Sequence, residues 1–322
     1  MSTPLTWHTL VTVWDMPVAA AVLLGLAVVL YLWGVHRADR WPTWRTACFL
    51  AGLVVIGVAV GGSVNAYSGV LFSMHMAQHL LLIAVAPVLV IFGRPLSLLR
   101  AATAGRARRV LAAVGRSRIT GVVTHPFVAF ALYAAVVAGT HLTPFLQGAL
   151  THPGLHAVEE VLYLASGYLL LLPVLGDPPA RAALSPLLGL IMVFAGMVVD
   201  TVVGVALLMT PYEPFPAYAA IGRTWGPGLV EDLHWGGAAM WVGGDVLMAA
   251  VAIIVITRWV NAPDRGNDLG PWLEAARLSA LGHDPASTQD IDNDEDALCA
   301  YNAMLARLAS TEHRQSSRDD CV

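Results

Sequence analysis

Two histidines stand four residues apart in Met74-His75-Met76-Ala77-Gln78-His79. At that spacing both imidazoles lie on one helix face. They open an apolar run long enough to enter a bilayer, where an ionisable group is costly unless it has a partner or a task. Paired imidazoles suit a transition-metal ion, and the flanking thioethers of Met74 and Met76 bias the set towards copper. A second group, His156 with Glu159 and Glu160, has the i, i+3, i+4 spacing of a shared helical face. Asp200 and Asp245 interrupt two further apolar runs. Carboxylates beside imidazoles either ligate a metal or orient the rings that do.

The elements that must position these residues follow from composition. Of 322 residues, 57% are hydrophobic and only 12% charged, which excludes an ordinary soluble domain. A bilayer core takes about 20 apolar residues per helix. Seven stretches qualify: 18–35, 47–63, 71–92, 122–140, 154–175, 184–208 and 235–257. The expected fold is therefore all-α, a polytopic bundle of seven transmembrane helices over residues 1–260. The N-terminus shows no basic n-region and no clear small-residue cleavage site, so 18–35 reads as a retained span. Residues 261–322 form a polar, Asp-rich tail. Within it, Leu298, Tyr301, Leu305 and Leu308 recur at helical spacing, which predicts one short helix with disorder on either side. Cys48, Cys299 and Cys321 form no spaced motif, and no disulfide framework is expected.

All 18 basic residues are Arg, and they alternate in sign of membrane side. Arg37, Arg40 and Arg45 follow the first span. Arg94, Arg100, Arg106, Arg108, Arg109, Arg116 and Arg118 follow the third, Arg181 the fifth, and Arg258 and Arg265 the seventh. The opposite loops hold only Arg223. By the positive-inside rule the N-terminus is external and the C-terminus cytoplasmic, in a multi-pass protein of the bacterial plasma membrane. Residues 95–118 mix Leu, Ala and Val with Arg at helical spacing, the pattern of an amphipathic helix on the anionic inner leaflet. The lipid bilayer accounts for these arginines, and no nucleic-acid partner is expected.

This topology sorts the histidines by depth. His75, His79, His141, His152, His156 and His234 all fall at outer helix ends. Asp200 lies ~24 Å from the inner edge at ~1.5 Å per residue, level with His79 in the outer third of a ~30 Å core. Taken singly, His141 and His234 fit interhelical hydrogen-bond partners. His152-Pro153 fits an N-cap before Pro at the first helical position. Asp245 beside Gly243-Gly244 fits a bond to a closely packed neighbour. Taken together, His75, His79, His156, Glu159, Glu160 and Asp200 are better explained by one shared metal site, with His152, His234 and Met76 as further candidates.

The chain resembles the CtaG family of cytochrome c oxidase assembly factors, found with bacterial caa-type oxidases. The resemblance covers about residues 10–260. It rests on Met74-His75-Met76-Ala77-Gln78-His79-Leu80-Leu81 with Pro87 and Gly93-Arg94-Pro95; on His156-Ala157-Val158-Glu159-Glu160 with Gly167 and Pro173; on Asp200 with Gly204 and Pro211-Tyr212; and on Glu231-Asp232-Leu233-His234 with Gly243-Gly244-Asp245. The tail motif Tyr301-Asn302-Ala303-Met304-Leu305 also looks like the family. The second element departs from the family's pattern: Glu160 stands where such proteins commonly carry a second His. What the resemblance implies is help in maturing a haem–copper oxidase, with the oxidase subunits as partners and copper supplied or positioned at the outer face. A carboxylate at position 160 suits Cu(I) less well than imidazole and leaves zinc or iron open. The alternatives are a membrane metalloenzyme using a His/Glu/Asp iron or zinc site, a haem protein with His79 and His156 as axial ligands, and a copper or proton transporter using Asp200 and Asp245. The residues name no reaction, so an enzymatic role stays open, as does a homodimer.

Overall fold

In lipid, backbone polar groups are satisfied only within a helix or a closed barrel. The computed structural model takes the first route. It describes residues 4–38, 40–176, 184–261 and 302, and among these it is all-α. The chain divides into two units, Met1–Val260 and Asn261–Val322. The tail helix expected at 295–308 lies outside the described residues, apart from Asn302, as do Cys299 and Cys321.

Among the described residues, six helical stretches are long and apolar enough to cross a membrane: Val18–Arg37, Thr43–Ser68, Phe72–Ala102, Pro153–Leu175, Pro186–Leu208 and Leu229–Val260. A seventh span is present if Pro126–His141 and Phe145–Thr151, bent by 68° at their junction, count as one. Pro126–His141 has 16 residues, or about 24 Å at ~1.5 Å each, short of a ~30 Å core. It starts later than residue 122 because His125-Pro126 places Pro at the first helical position, where its missing N–H costs nothing. Pro153 and Pro186 open the fifth and sixth spans in the same way. Large apolar side chains such as Val22, Val161, Val198, Val246 and Ile253 point outwards, as in a bundle bathed in lipid.

The third span is central, packing against the second, fifth and seventh; the fourth contacts the fifth and sixth, and the sixth the seventh. The third span is not a uniform α-helix. Phe72–Leu80 passes into a π turn at Leu81–Val85 and resumes as Ala86–Phe92. Pro87 has no N–H to return to the Ile83 carbonyl four residues back, and the ladder opens there. The fifth span closes on that carbonyl at Gly167, where a methyl group would overlap Ile83 O. Backbone contact thus fixes the height of the fifth span against the third. The seventh span has its own π turn, Ala239–Gly243, between Leu229–Ala238 and Gly244–Val260.

The segment after the third span differs from the single amphipathic helix expected over 95–118. It forms three short helices, Pro95–Ala102, Gly105–Gly115 and Arg118–Val123. The first break precedes Gly105, whose φ of +57 lies in the left-handed region that glycine tolerates. The second is set by Ser117, whose hydroxyl accepts from Thr120 N–H at 3.1 Å and starts the next helix.

Candidate metal centre

The packing of the third span on the fifth brings His75 and His79 to Glu159. His75 Nε2 is 3.4 Å from Glu159 Oε2, and His79 Nε2 is 3.6 Å from Glu159 Oε1. His75 and Glu159 are fully buried and His79 nearly so. His156 joins from one turn earlier on the fifth span, its ring centroid 5.4 Å from that of His75. His75, His156 and Glu159 each offer one ligand atom within 4.8 Å of the others. An ion about 2.0–2.2 Å from each holds tetrahedral donors about 3.4 Å apart, so the three side chains draw together to enclose it.

The donor set itself tests whether a metal suits this place. Both ring nitrogens of His75 and of His79 and both carboxylate oxygens of Glu159 are buried without a hydrogen-bond partner. Buried polar groups are almost always satisfied, because an unpaired one costs about 1–3 kcal/mol. Three neighbouring side chains in this condition, two of them imidazoles and one a carboxylate, are a donor set that a first-row transition metal coordinates.

Gln78 sits on the third span between these histidines and fixes the orientation of His156. Its amide nitrogen is surrounded by acceptors: Ala59 O at 2.9 Å, Asn65 Oδ1 at 3.2 Å and Glu160 Oε1 at 2.8 Å. That assigns the other amide atom as oxygen, and it lies 3.3 Å from His156 Nε2. Nε2 must then carry the ring hydrogen, which leaves Nδ1 as the lone-pair atom of His156. Glu160 therefore acts on the amide of Gln78, while its neighbour Glu159 faces the imidazoles.

A distant carboxylate sets the start of the histidine helix. Asp232, on the seventh span, accepts from Phe72 N–H at 2.8 Å and from the N–H and hydroxyl of Ser73 at 3.3 and 2.5 Å. It thereby caps the first turn of Phe72–Leu80, where orphan N–H groups and the helix dipole favour an anion. Arg223 approaches the same carboxylate at 3.7 Å, which gives a structural role to the single arginine of the opposite loops. The loop before it covers this end of the bundle: Phe215 stacks on Phe72 with ring centroids 5.5 Å apart, and Tyr218 donates to Ser68 O at 2.9 Å. Burial pushes the Glu213 carboxyl in that loop up, opposed by the Phe215 N–H it accepts.

The remaining expected residues fall elsewhere. Asp200 does not reach the imidazoles; Tyr133 donates to its carboxylate, 2.8 Å from each oxygen. Asp245 accepts from Thr201 at 3.3 Å on the neighbouring sixth span, as its Gly243-Gly244 context suggested. His152 is exposed and within 3.2 Å of Gly148 O, in the N-cap position before Pro153. His234 Nε2 donates to Thr210 O at 2.9 Å. Met76 is buried next to the site, with Sδ 3.2 Å from His141 Nε2.

Residues 29–262 match the family described as cytochrome c oxidase caa3 assembly factor (Caa3_CtaG). The chain belongs to this family. It is a multi-pass membrane protein, and its relatives are bacterial. An uncharacterized protein of Mycobacterium bovis is 29% identical over 320 residues, covering 95% of this chain and 46% of that protein, and one of Mycobacterium tuberculosis gives the same values. One from Mycobacterium leprae is 27% identical over 300 residues, 90% of this chain and 43% of that protein. The chain thus spans less than half the length of these curated relatives. No solved structure matches it.

Two elements on which the resemblance to the Caa3_CtaG family rests, Met74 to Leu81 and His156 to Glu160, supply the central cluster of this family member, and the Asp232 element holds the first of them in place. Sequence reasoning missed three residues. Gln78 lay inside the quoted motif, yet its amide carried no sign of a partner. His141 read as an isolated helix-end histidine, but its ring centroid is 5.3 Å from that of His79. Tyr163, one turn beyond Glu159, stacks on His79 with centroids 3.7 Å apart; a tyrosine in an apolar run is otherwise an ordinary core residue.

Proposed function

We propose that this member of the caa3 assembly-factor family binds a transition-metal ion, copper, through His75, His79, His156 and Glu159, and presents it to haem–copper oxidase subunits for maturation of a copper centre. One observation carries the reading: the imidazoles of His75 and His79 and the carboxylate of Glu159 converge, buried, with no hydrogen-bond partner. Copper here is cargo. The imidazoles bind it in neutral form, so uptake releases protons. Gln78, itself held by Glu160, turns His156 so that Nδ1 is the ligand atom. The arginine distribution puts this end of the bundle outside the cell, where lateral contact with an oxidase subunit allows release by ligand exchange.

The test is the metal content of native full-length protein. Wild type is expected to carry about one copper per chain through this group. His79→Ala and Glu159→Gln are expected to lose it and to lower the copper content of the oxidase. A deletion strain whose oxidase keeps its full copper complement overturns the proposal. The carboxylate among the ligands supports a second reading, a zinc or iron site of a membrane metalloenzyme, since oxygen donors favour harder ions than Cu(I). Zinc or iron in the native protein, with turnover of a small lipophilic substrate, would favour it.

A further inference from the structure

Beside the Glu159 group lies a second pair of donor atoms. His141, at the end of the fourth span, is 4% exposed, and Met76 is fully buried. His141 Nδ1 lies 2.9 Å from the carbonyl oxygen of Val137, four residues back on its own helix. A carbonyl only accepts, so Nδ1 carries the ring hydrogen. The hydroxyls of Thr140 and Tyr163 lie on this same side, 3.0 and 3.2 Å from Nδ1, and bond to each other at 2.7 Å. A neutral imidazole has one N–H, which leaves Nε2 as a bare lone pair. That lone pair is 3.2 Å from Met76 Sδ, a thioether with no hydrogen to give. Two acceptors therefore meet in a buried place with no proton between them. Phe72, edge-on to the His141 ring at 6.5 Å, supplies none.

An arrangement of this kind is favourable when a cation is shared. First-row ions sit about 2.0–2.1 Å from imidazole nitrogen and about 2.3 Å from sulfur. A nitrogen and a sulfur 3.2 Å apart lie within the span of two ligands of one such ion. Neutral imidazole plus thioether, with no carboxylate, is a soft set that prefers Cu(I) over zinc or iron. The first group, with Glu159, is harder. We infer that His141 and Met76 form a second metal position, selective for a soft monovalent ion of the Cu(I) class. His79 stands between the two positions, its ring centroid 4.3 Å from His75 and 5.3 Å from His141. It can serve either, giving an ion a short path from the soft pair to the carboxylate-bearing group. The inference goes beyond the proposed function, because it stands on the tautomer of His141 and not on occupancy of the Glu159 group.

The experiment uses the full-length protein with Cys48, Cys299 and Cys321 replaced by Ser, in detergent, loaded separately with Ag(I), a redox-inert soft ion, and with Zn(II), and read by metal analysis and X-ray absorption. Silver on this cysteine-free protein is expected to show a sulfur neighbour. Met76→Leu and His141→Gln are expected to weaken silver binding about 10- to 100-fold and leave zinc uptake unchanged. Glu159→Gln is expected to do the reverse. Met76→Leu keeps side-chain volume, and His141→Gln, which is expected to lose the sulfur-bound silver while every methionine stays in place, carries the test if Met76→Leu does not fold. Silver bound without sulfur, or a sulfur neighbour that persists in Met76→Leu, overturns the second position. Zinc uptake through Glu159 with no sulfur-bound silver overturns it while leaving the proposed function standing. Sulfur-bound silver in a protein whose zinc uptake ignores Glu159→Gln supports it and counts against the proposed function instead.

Discussion

Glu159 and Glu160 show how one position along a helix changes a side chain's task. Both are within a turn of His156, and both share its face by spacing alone. Successive residues nevertheless diverge by about 100° around the axis, so only Glu159 faces His75 and His79, and Glu160 turns to Gln78. Glu160 thus holds an amide which in turn selects the lone-pair nitrogen of His156. Gln78→Leu keeps the bulk and removes this control. It is expected to weaken metal binding about 10- to 100-fold, the usual cost of losing a group that orients a ligand, while the chain stays folded. Titration of a competing chelator against wild type and variant checks it; equal affinities would show that Gln78 does not set the His156 tautomer.

At the scale of elements, the histidine helix is held from two directions. Asp232 caps its first turn, and Gly167 of the fifth span rests on the Ile83 carbonyl released by Pro87. The cap was not legible beforehand, because its partners lie 160 residues away in sequence and a carboxylate at a helix end has many local uses. The proline was visible; that its orphaned carbonyl would be the contact point for another helix was not. Gly167→Ala places a methyl group on a backbone atom that no side-chain rotation can move aside. It is expected to destabilise the bundle by about 1–3 kcal/mol, the range for overpacking, and to shift Glu159 away from the histidines. A lower thermal midpoint in detergent together with reduced metal content checks this; an unchanged midpoint would show that the fifth span does not depend on that approach.

For the whole molecule, the arginine distribution predicts which side the cluster faces. Its one exception, Arg223, is held at Asp232 and at Trp225 O, 3.1 Å away, and so answers to packing as well as to topology. In a variant lacking Cys48, Cys299 and Cys321, an impermeant thiol reagent is expected to label His8→Cys in intact cells and to leave Arg108→Cys unlabelled. The opposite pattern would put the histidine end in the cytoplasm. That the curated relatives are about twice as long places this membrane unit within larger proteins in those bacteria.

Taken by itself, the sequence determined the helices, because an apolar run in lipid has no other means of satisfying its backbone. It also determined that His75 and His79 share a face, since that follows from helical period alone. Which residues would meet them was decided by tertiary structure. Asp200 was level with His79 by depth, yet Tyr133 on the fourth span takes its carboxylate. His141 stands alone in the sequence, yet the packing around the third span sets it against Met76. Depth along an axis can be counted from a sequence; rotation about that axis, and the neighbour it selects, depends on packing contacts between residues far apart in the chain.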